Sequence, residues 1–233
     1  MKKDIVMDYL VSYGENELFF VETLYRNHFS REMTEAAYYK MVERLCHEGL
    51  ISKIAKGTYY KPKMTKYGAV PLSNHDIISF FTQQNKGMEI GYTMYNQLGL
   101  TTQVSKEIQL LSSNLSGKTK RLRDVYVTYA DIEFNEENKK MIQMLEILQN
   151  YRQIQDIRHS AALDYFQAFS AEYSDCTFED VISCLNYKKS TIAFLREILN
   201  HFEKENRLNY YLSALSDYKH PSMEELYEAA RIS

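Results

Sequence analysis

The feature that most narrows the fold is a change of periodicity between residues 34 and 60. Through "TEAAYYKMVERLCHEG" apolar side chains recur at helical spacing, with Tyr38, Met41, Val42 and Leu45 at i, i+3, i+4 and i+7. That is the stripe of a helix laid on a core. Thr34 is placed to cap its start, and Gly49 suits the left-handed residue that stops a helix. Directly afterwards "LISKI" and "TYYK" read as short strands around "AKG", where Gly57 can supply the positive φ of a tight turn.

Two further helices are expected upstream. Ile5, Leu10 and Val11 give the first an apolar side that ends at Gly14. Asn16 is positioned to cap a second over "ELFFVETLYRN", where Leu18, Phe19, Glu22 and Leu24 stand near helical spacing. Three helices and a β-hairpin in that order predict a winged helix-turn-helix over residues 1–67. A small mixed α/β region is expected over 68–134. It has helical stretches in "NHDIISFFTQQ" and "GYTMYNQLGL" and strands in "KEIQLL" and "RDVYVTYADIEF". Residues 135–233 read as a helical region. Met141, Met144, Leu145 and Leu148, then Phe178, Val181, Ile182 and Leu185, repeat at the helical interval. Ser222 with Glu225 forms a capping box for the last helix. The expected class is α+β.

The net charge of −3 selects no partner, but its distribution does. Residues 40–66 carry seven Lys/Arg against two acids, whereas residues 67–233 carry 17 against 22. With the apolar stripe inward, the outer face of the third helix presents Ala36, Lys40, Glu43 and His47, flanked by Tyr39 and Arg44. Small side chains near a helix start allow close approach to base edges, and Tyr39, Lys40 and Arg44 can reach bases or phosphates. Lys53, Lys56 and Thr58 of the hairpin, with Lys61 and Lys63 just past it, would hold the phosphate backbone and fix register. The other readings of this face are a solvated surface, which Glu43 favours, or a contact with protein.

Other chemistries find no pattern. "SGKT" at 116–119 has Ser112 where a phosphate-binding loop needs glycine, and it leads into the strand-like "RLRDVYVTY". It reads as a basic hairpin tip, with Lys118, Lys120, Arg121 and Arg123 as further phosphate contacts. The three cysteines form no CxxC pair and the six histidines no HxH or HxxxH, so neither a metal site nor a disulfide framework is expected. No nucleophile elbow, paired-carboxylate motif or dinucleotide loop occurs, and the chain reads as non-enzymatic and without a cofactor. No run approaches 18 apolar residues and "MKKDIVMDYLVSYGENE" lacks a signal-peptide core, so a cytoplasmic chain with no membrane contact is expected.

"HEGLISKIAKGTYY" followed by "GYTMYNQLGLTTQVSKEIQLL" resembles the AbiE-type (AbiEi-like) antitoxins of bacterial type IV toxin–antitoxin and abortive-infection systems. Gly91, Gly99, Leu100, Thr101 and Gln103 match that family's LGLTTQ signature, although Ser105 stands where the family carries proline. Gly57, Thr58 and Tyr59 match the closure of its wing. The resemblance covers about residues 1–134 and places no motif in 135–233. It implies an antitoxin that binds inverted repeats in its promoter, represses its own operon and counters a nucleotidyltransferase-like toxin. The alternative is a protein-interaction module that neutralises such a toxin without binding DNA. Taken by itself, "LGLTTQ" reads as a short helix, a stop at glycine and entry into a strand.

Overall fold

A computed structural model describes residues 2–232, and it begins with α1 (Lys2–Val11), β1 (Leu18–Phe20) and α2 (Val21–Leu24), extended by a wide helical turn, Tyr25–Phe29. Then come α3 (Glu35–His47), β2 (Ser52–Ala55) and β3 (Thr58–Tyr60). The side chains of Ile5 and Val11 lie outside the described residues, while Leu10 is buried. The third helix forms as expected. Thr34 Oγ1 accepts the Ala37 N–H at 3.4 Å. At the other end Gly49, with φ 74°, lets the Leu50 N–H reach the Leu45 carbonyl at 3.0 Å. Gly57 turns the β2–β3 hairpin with φ 72°.

The expected second helix is corrected at its start, because Leu18, Phe19 and Phe20 form a strand. This strand pairs antiparallel with β3, giving a sheet of order β1-β3-β2. All three residues are buried, but on two faces. Phe19 joins Val6, Leu10, Tyr38, Val42 and Leu45 in the N-terminal core, while Leu18 and Phe20 join a second cluster beyond the sheet. An unbroken apolar triplet is what a strand buried on both sides requires. Asn16 caps nothing. With φ 61° it donates its N–H to the Lys61 carbonyl at 2.7 Å and accepts the Lys63 N–H on Oδ1 at 3.3 Å.

An unexpected second hairpin follows, β4 (Lys63–Thr65) with β5 (Gly68–Val70), and the boundary expected after residue 67 falls at its turn. Next come α4 (Asn74–Thr82), β6 (Gly87–Ile90), α5 (Tyr92–Gln97), β7 (Ile108–Ser112), β8 (Thr119–Leu122) and β9 (Val125–Tyr129). The middle sheet has order β6-β7-β9-β8, with β7 and β9 parallel. Parallel neighbours cannot be joined by a tight hairpin. The basic segment expected as a hairpin tip therefore supplies the edge strand β8, and the tight turn lies at Arg123 (φ 55°) and Asp124.

Side-chain alternation gives this sheet two working faces. Leu110, Leu122, Val125 and Val127 meet Leu18, Phe20, Leu72, Ile77 and Phe81 on one side. Met88 and Leu111 meet α5 and the helical region on the other. That region is α6 (Glu136–Asn150), α7 (His159–Glu172), α8 (Asp175–Cys184), α9 (Lys189–His201) and α10 (Met223–Ile232). Its last helix carries the expected capping box, the Ser222 N–H on Glu225 at 3.1 Å and the Glu225 N–H on Ser222 Oγ at 3.2 Å. The chain is thus α+β, about half helical with several small sheets.

The "LGLTTQ" segment does a structural job. Gly99 (φ 69°) ends α5 and lets the Leu100 N–H reach the Tyr95 carbonyl at 2.8 Å. Thr101 Oγ1 donates to the Gln155 carbonyl at 2.7 Å, and Gln103 bonds Asp156. A loop, not an immediate strand, then leads to β7. Among the described residues no helix is long and apolar enough to cross a membrane.

Candidate nucleic-acid interface

Because Tyr38, Val42 and Leu45 take the inner side of α3, the residues between them face solvent. Ala36, Lys40, Glu43, Arg44 and His47 are exposed, and Tyr39 is 37% exposed. Burial, followed by the carboxylates of Glu35 and Glu22, raises the Tyr39 phenol above its usual pKa, so it remains a hydrogen-bond donor at neutral pH. Lys53 and Lys56 are exposed on the adjoining β2–β3 hairpin. Among the described residues none of Lys40, Arg44, Lys53 and Lys56 is ion-paired. From residue 49 to residue 75 there are five lysines and no carboxylate. The stretch that follows α3 therefore carries a local excess of positive charge of the kind that attracts a polyanion, with Glu22 and Glu43 as the nearby exceptions.

The hairpin tip is not a free loop. Lys120, from β8, donates to Thr58 Oγ1 at 2.8 Å and to the Lys56 carbonyl at 3.3 Å, and its ammonium sits 4.9 Å from the Phe20 ring centroid. Burial lowers the Lys120 pKa. These contacts frame a cleft of about 340 Å³ between Tyr39 of α3, the tip at Lys56 and Gly57, and Ser116 and Lys120 of the middle region. Glu22 also lines it. The tip is thus held in place beside Tyr39 by a cation from a different part of the chain.

This clamp and other tertiary contacts correct several expected contacts. Thr58 is fully buried and its hydroxyl is engaged by Lys120, so it is withdrawn from the outer surface. Lys61 is half-buried and donates to the Tyr13 carbonyl at 3.3 Å, which ties it to the loop after α1. Lys63 is exposed. Of the basic residues around β8, Lys120 is spent on the clamp, Arg121 pairs with Glu107 at 3.3 Å and Arg123 bonds the Leu72 carbonyl. Lys118 remains exposed. The structure brings together Ala36, Tyr39, Lys40 and Arg44 on α3 with Lys53 and Lys56 on the hairpin.

Replacing Lys120 by methionine is expected to cost about 1–3 kcal/mol, because the Thr58 hydroxyl and the Lys56 carbonyl lose their partner. Urea denaturation of the two proteins measures this. A loss below about 0.5 kcal/mol would mean that the clamp does not hold the hairpin.

Among the described residues no group of three or more His, Cys, Asp or Glu is placed to hold a metal ion. Residues 8–157 match the family of unknown function DUF6088. Among solved structures, a match is the crystal structure of the RV2827C protein from Mycobacterium tuberculosis, 14% identical in sequence. The similarity covers 81% of this chain and 73% of that one with a TM-score of 0.37. No curated protein matches the sequence.

Proposed function

We propose that this chain, which belongs to the DUF6088 family, is a DNA-binding antitoxin that represses its own operon. In this reading the N-terminal unit is a winged helix. Helix α3 enters the major groove, and the β2–β3 hairpin is the wing against the flanking phosphates. The order α1-β1-α2-α3-β2-β3 and the sheet order β1-β3-β2 support it, since they set a hairpin beside an exposed helix face. The observation that carries it is a set of cations with no ion-pair partner among the described residues, Lys40 and Arg44 on α3 and Lys53 and Lys56 on the hairpin, the last two within the 49–75 stretch free of carboxylates. Inverted repeats in the promoter would take one copy of the unit per half-site. The antitoxin role, and a nucleotidyltransferase-like toxin as the partner, rest on the resemblance of the hairpin and "LGLTTQ" segments.

The test is the salt dependence of DNA binding by a Lys53→Ala, Lys56→Ala variant. Removing two neutralising charges is expected to lower the slope of log K against log salt by about 1.8, on all sequences alike. An unchanged slope would take the hairpin out of the interface.

Glu22 in the cleft and Glu43 on the outer face of α3 favour a second reading, because carboxylates repel phosphate. In it the unit is a protein-interaction module that binds a basic surface of the toxin. Sedimentation would then show a toxin complex, and the protein's own upstream DNA would not be retarded.

A further inference from the structure

We propose that the β4–β5 hairpin is a second nucleic-acid-binding element, a basic ribbon that grips duplex DNA beyond the far end of α3. This rests on the DNA-binding reading and extends the surface that reading uses. Every residue from Lys63 to Ala69 is exposed, including two that chains normally bury. Met64 is 62% and Tyr67 88% exposed, and the Lys66 ammonium lies 4.9 Å from the Tyr67 ring centroid. An aromatic ring held in water beside an ammonium adds nothing to a core. Against a duplex it offers a flat face to sugar or base while the ammonium meets phosphate.

The shape fits the same ligand. Met64 pairs with Ala69 and Thr65 with Gly68, so one strand is nearly bare of side chains and the ribbon is slim. A major groove admits a two-stranded ribbon as well as a helix. Three-residue strands project about 10 Å, the rise of about three base pairs at ~3.4 Å each. The carboxylate-free stretch from 49 to 75 includes the whole ribbon. At its root, on the loop before β1, Glu17 is turned back to accept the Gly14 N–H at 2.8 Å.

Placement makes the ribbon the counterpart of the first hairpin. Along β3, Thr58 pairs with Ala55 at the tip, beside Tyr39 in the first turns of α3. Tyr60, at the other end, pairs with Ser52, just after α3 has ended, and leads within three residues to Lys63. Asn16 fixes that exit by bonding both the Lys61 carbonyl and the Lys63 N–H. The two hairpins therefore leave opposite ends of one strand and bracket α3. A duplex lying along α3 meets the first hairpin at one flank and the ribbon at the other.

The test uses the full chain and two duplexes selected for binding, a short core site and the same site extended by about half a helical turn, ~5 base pairs, on each side. Affinities are read by fluorescence anisotropy over a range of salt. Wild type is expected to gain more than about tenfold on extension, and a Lys63→Ala, Lys66→Ala, Tyr67→Ala variant to gain nothing. On the extended duplex the variant's salt slope should be about 1.8 lower, with no change on the core site. A Lys63→Glu, Lys66→Glu variant should fall below the alanine variant, and unchanged melting temperatures would show both to be folded. An alanine variant identical to wild type on both duplexes overturns the ribbon while leaving the DNA-binding reading intact. No binding of wild type to either duplex overturns both. A dimer that the alanine variant loses in sedimentation, with its salt slope unchanged, would assign the ribbon to contact between copies and also overturn the proposal.

Discussion

Phe81→Ala is expected to destabilise the protein by about 3–5 kcal/mol, the usual range for emptying an aromatic site in a sealed core. Phe81 is fully buried at the C-terminal end of α4, edge-on to Phe80 at 5.1 Å and 6.3 Å from Phe20 of β1. Its ring stands where the N-terminal sheet and the middle sheet meet, among Leu18, Phe20, Leu72, Leu110 and Val127. Its carbonyl also accepts the Ser112 hydroxyl at 2.8 Å, so the backbone around the lost ring cannot collapse freely. Urea unfolding followed by circular dichroism gives the number. A loss below about 1 kcal/mol would show that the two sheets do not share a core, and that the N-terminal unit is not held in one orientation by the middle region.

The largest effect on binding is expected from Lys40→Glu with Arg44→Glu. Both side chains are exposed on the outer face of α3, so the change leaves the core untouched and the melting temperature close to that of wild type. It alters the charge on the outer face of α3 by four. Each neutralised phosphate contributes a factor of about 5 at ~0.15 M salt, so losing two contacts lowers affinity about 25-fold, and repulsion by the two new carboxylates lowers it further. Selectivity should be lost as well, because Lys40 and Arg44 lie beside the positions assigned to base edges. A threefold loss or less, with the salt slope unchanged, would remove α3 from any DNA interface and favour the protein-interaction reading.

What could be read from the sequence was local. The helix from Glu35 to His47 has a cap, a stripe and a stop within reach of one another, and each does in the structure what its residue type dictates. The helical C-terminal region declared itself through repeated apolar intervals for the same reason. The elements that differ from the sequence expectation depend on distant partners. A run such as "LFF" is compatible with helix or strand, and pairing with β3, about 40 residues on, decides it. Nothing near Thr58 announces its burial, since the lysine that takes its hydroxyl is 62 residues away. The edge strand β8 was hidden by its charge, because Lys120 and Arg121 look like a solvated tip until β9 pairs with them. The second hairpin left a trace in "TKYG", a turn sequence with glycine next to the tip, but its strands are too short and too exposed to show an apolar pattern.

For the candidate interface the same division holds. Ala36, Tyr39, Lys40 and Arg44 follow from helical geometry alone once the inner stripe is known, and Lys53 and Lys56 follow from the hairpin. Thr58 and Lys61 adjoin these residues in sequence, but burial takes the first and a bond to the Tyr13 carbonyl engages the second. The clamp that fixes the hairpin could be found only in three dimensions.

The most direct measurement is binding of the purified protein to the DNA immediately upstream of its own gene, against a scrambled duplex of equal length, at about 50 and 200 mM salt. Tight binding to the upstream DNA, much weaker binding to the scrambled duplex, and a loss of about 10³-fold or more between the two salts are expected if α3 and the two hairpins engage six or more phosphates. Equal affinity for both duplexes, or none for either, would contradict a repressor that reads its own promoter.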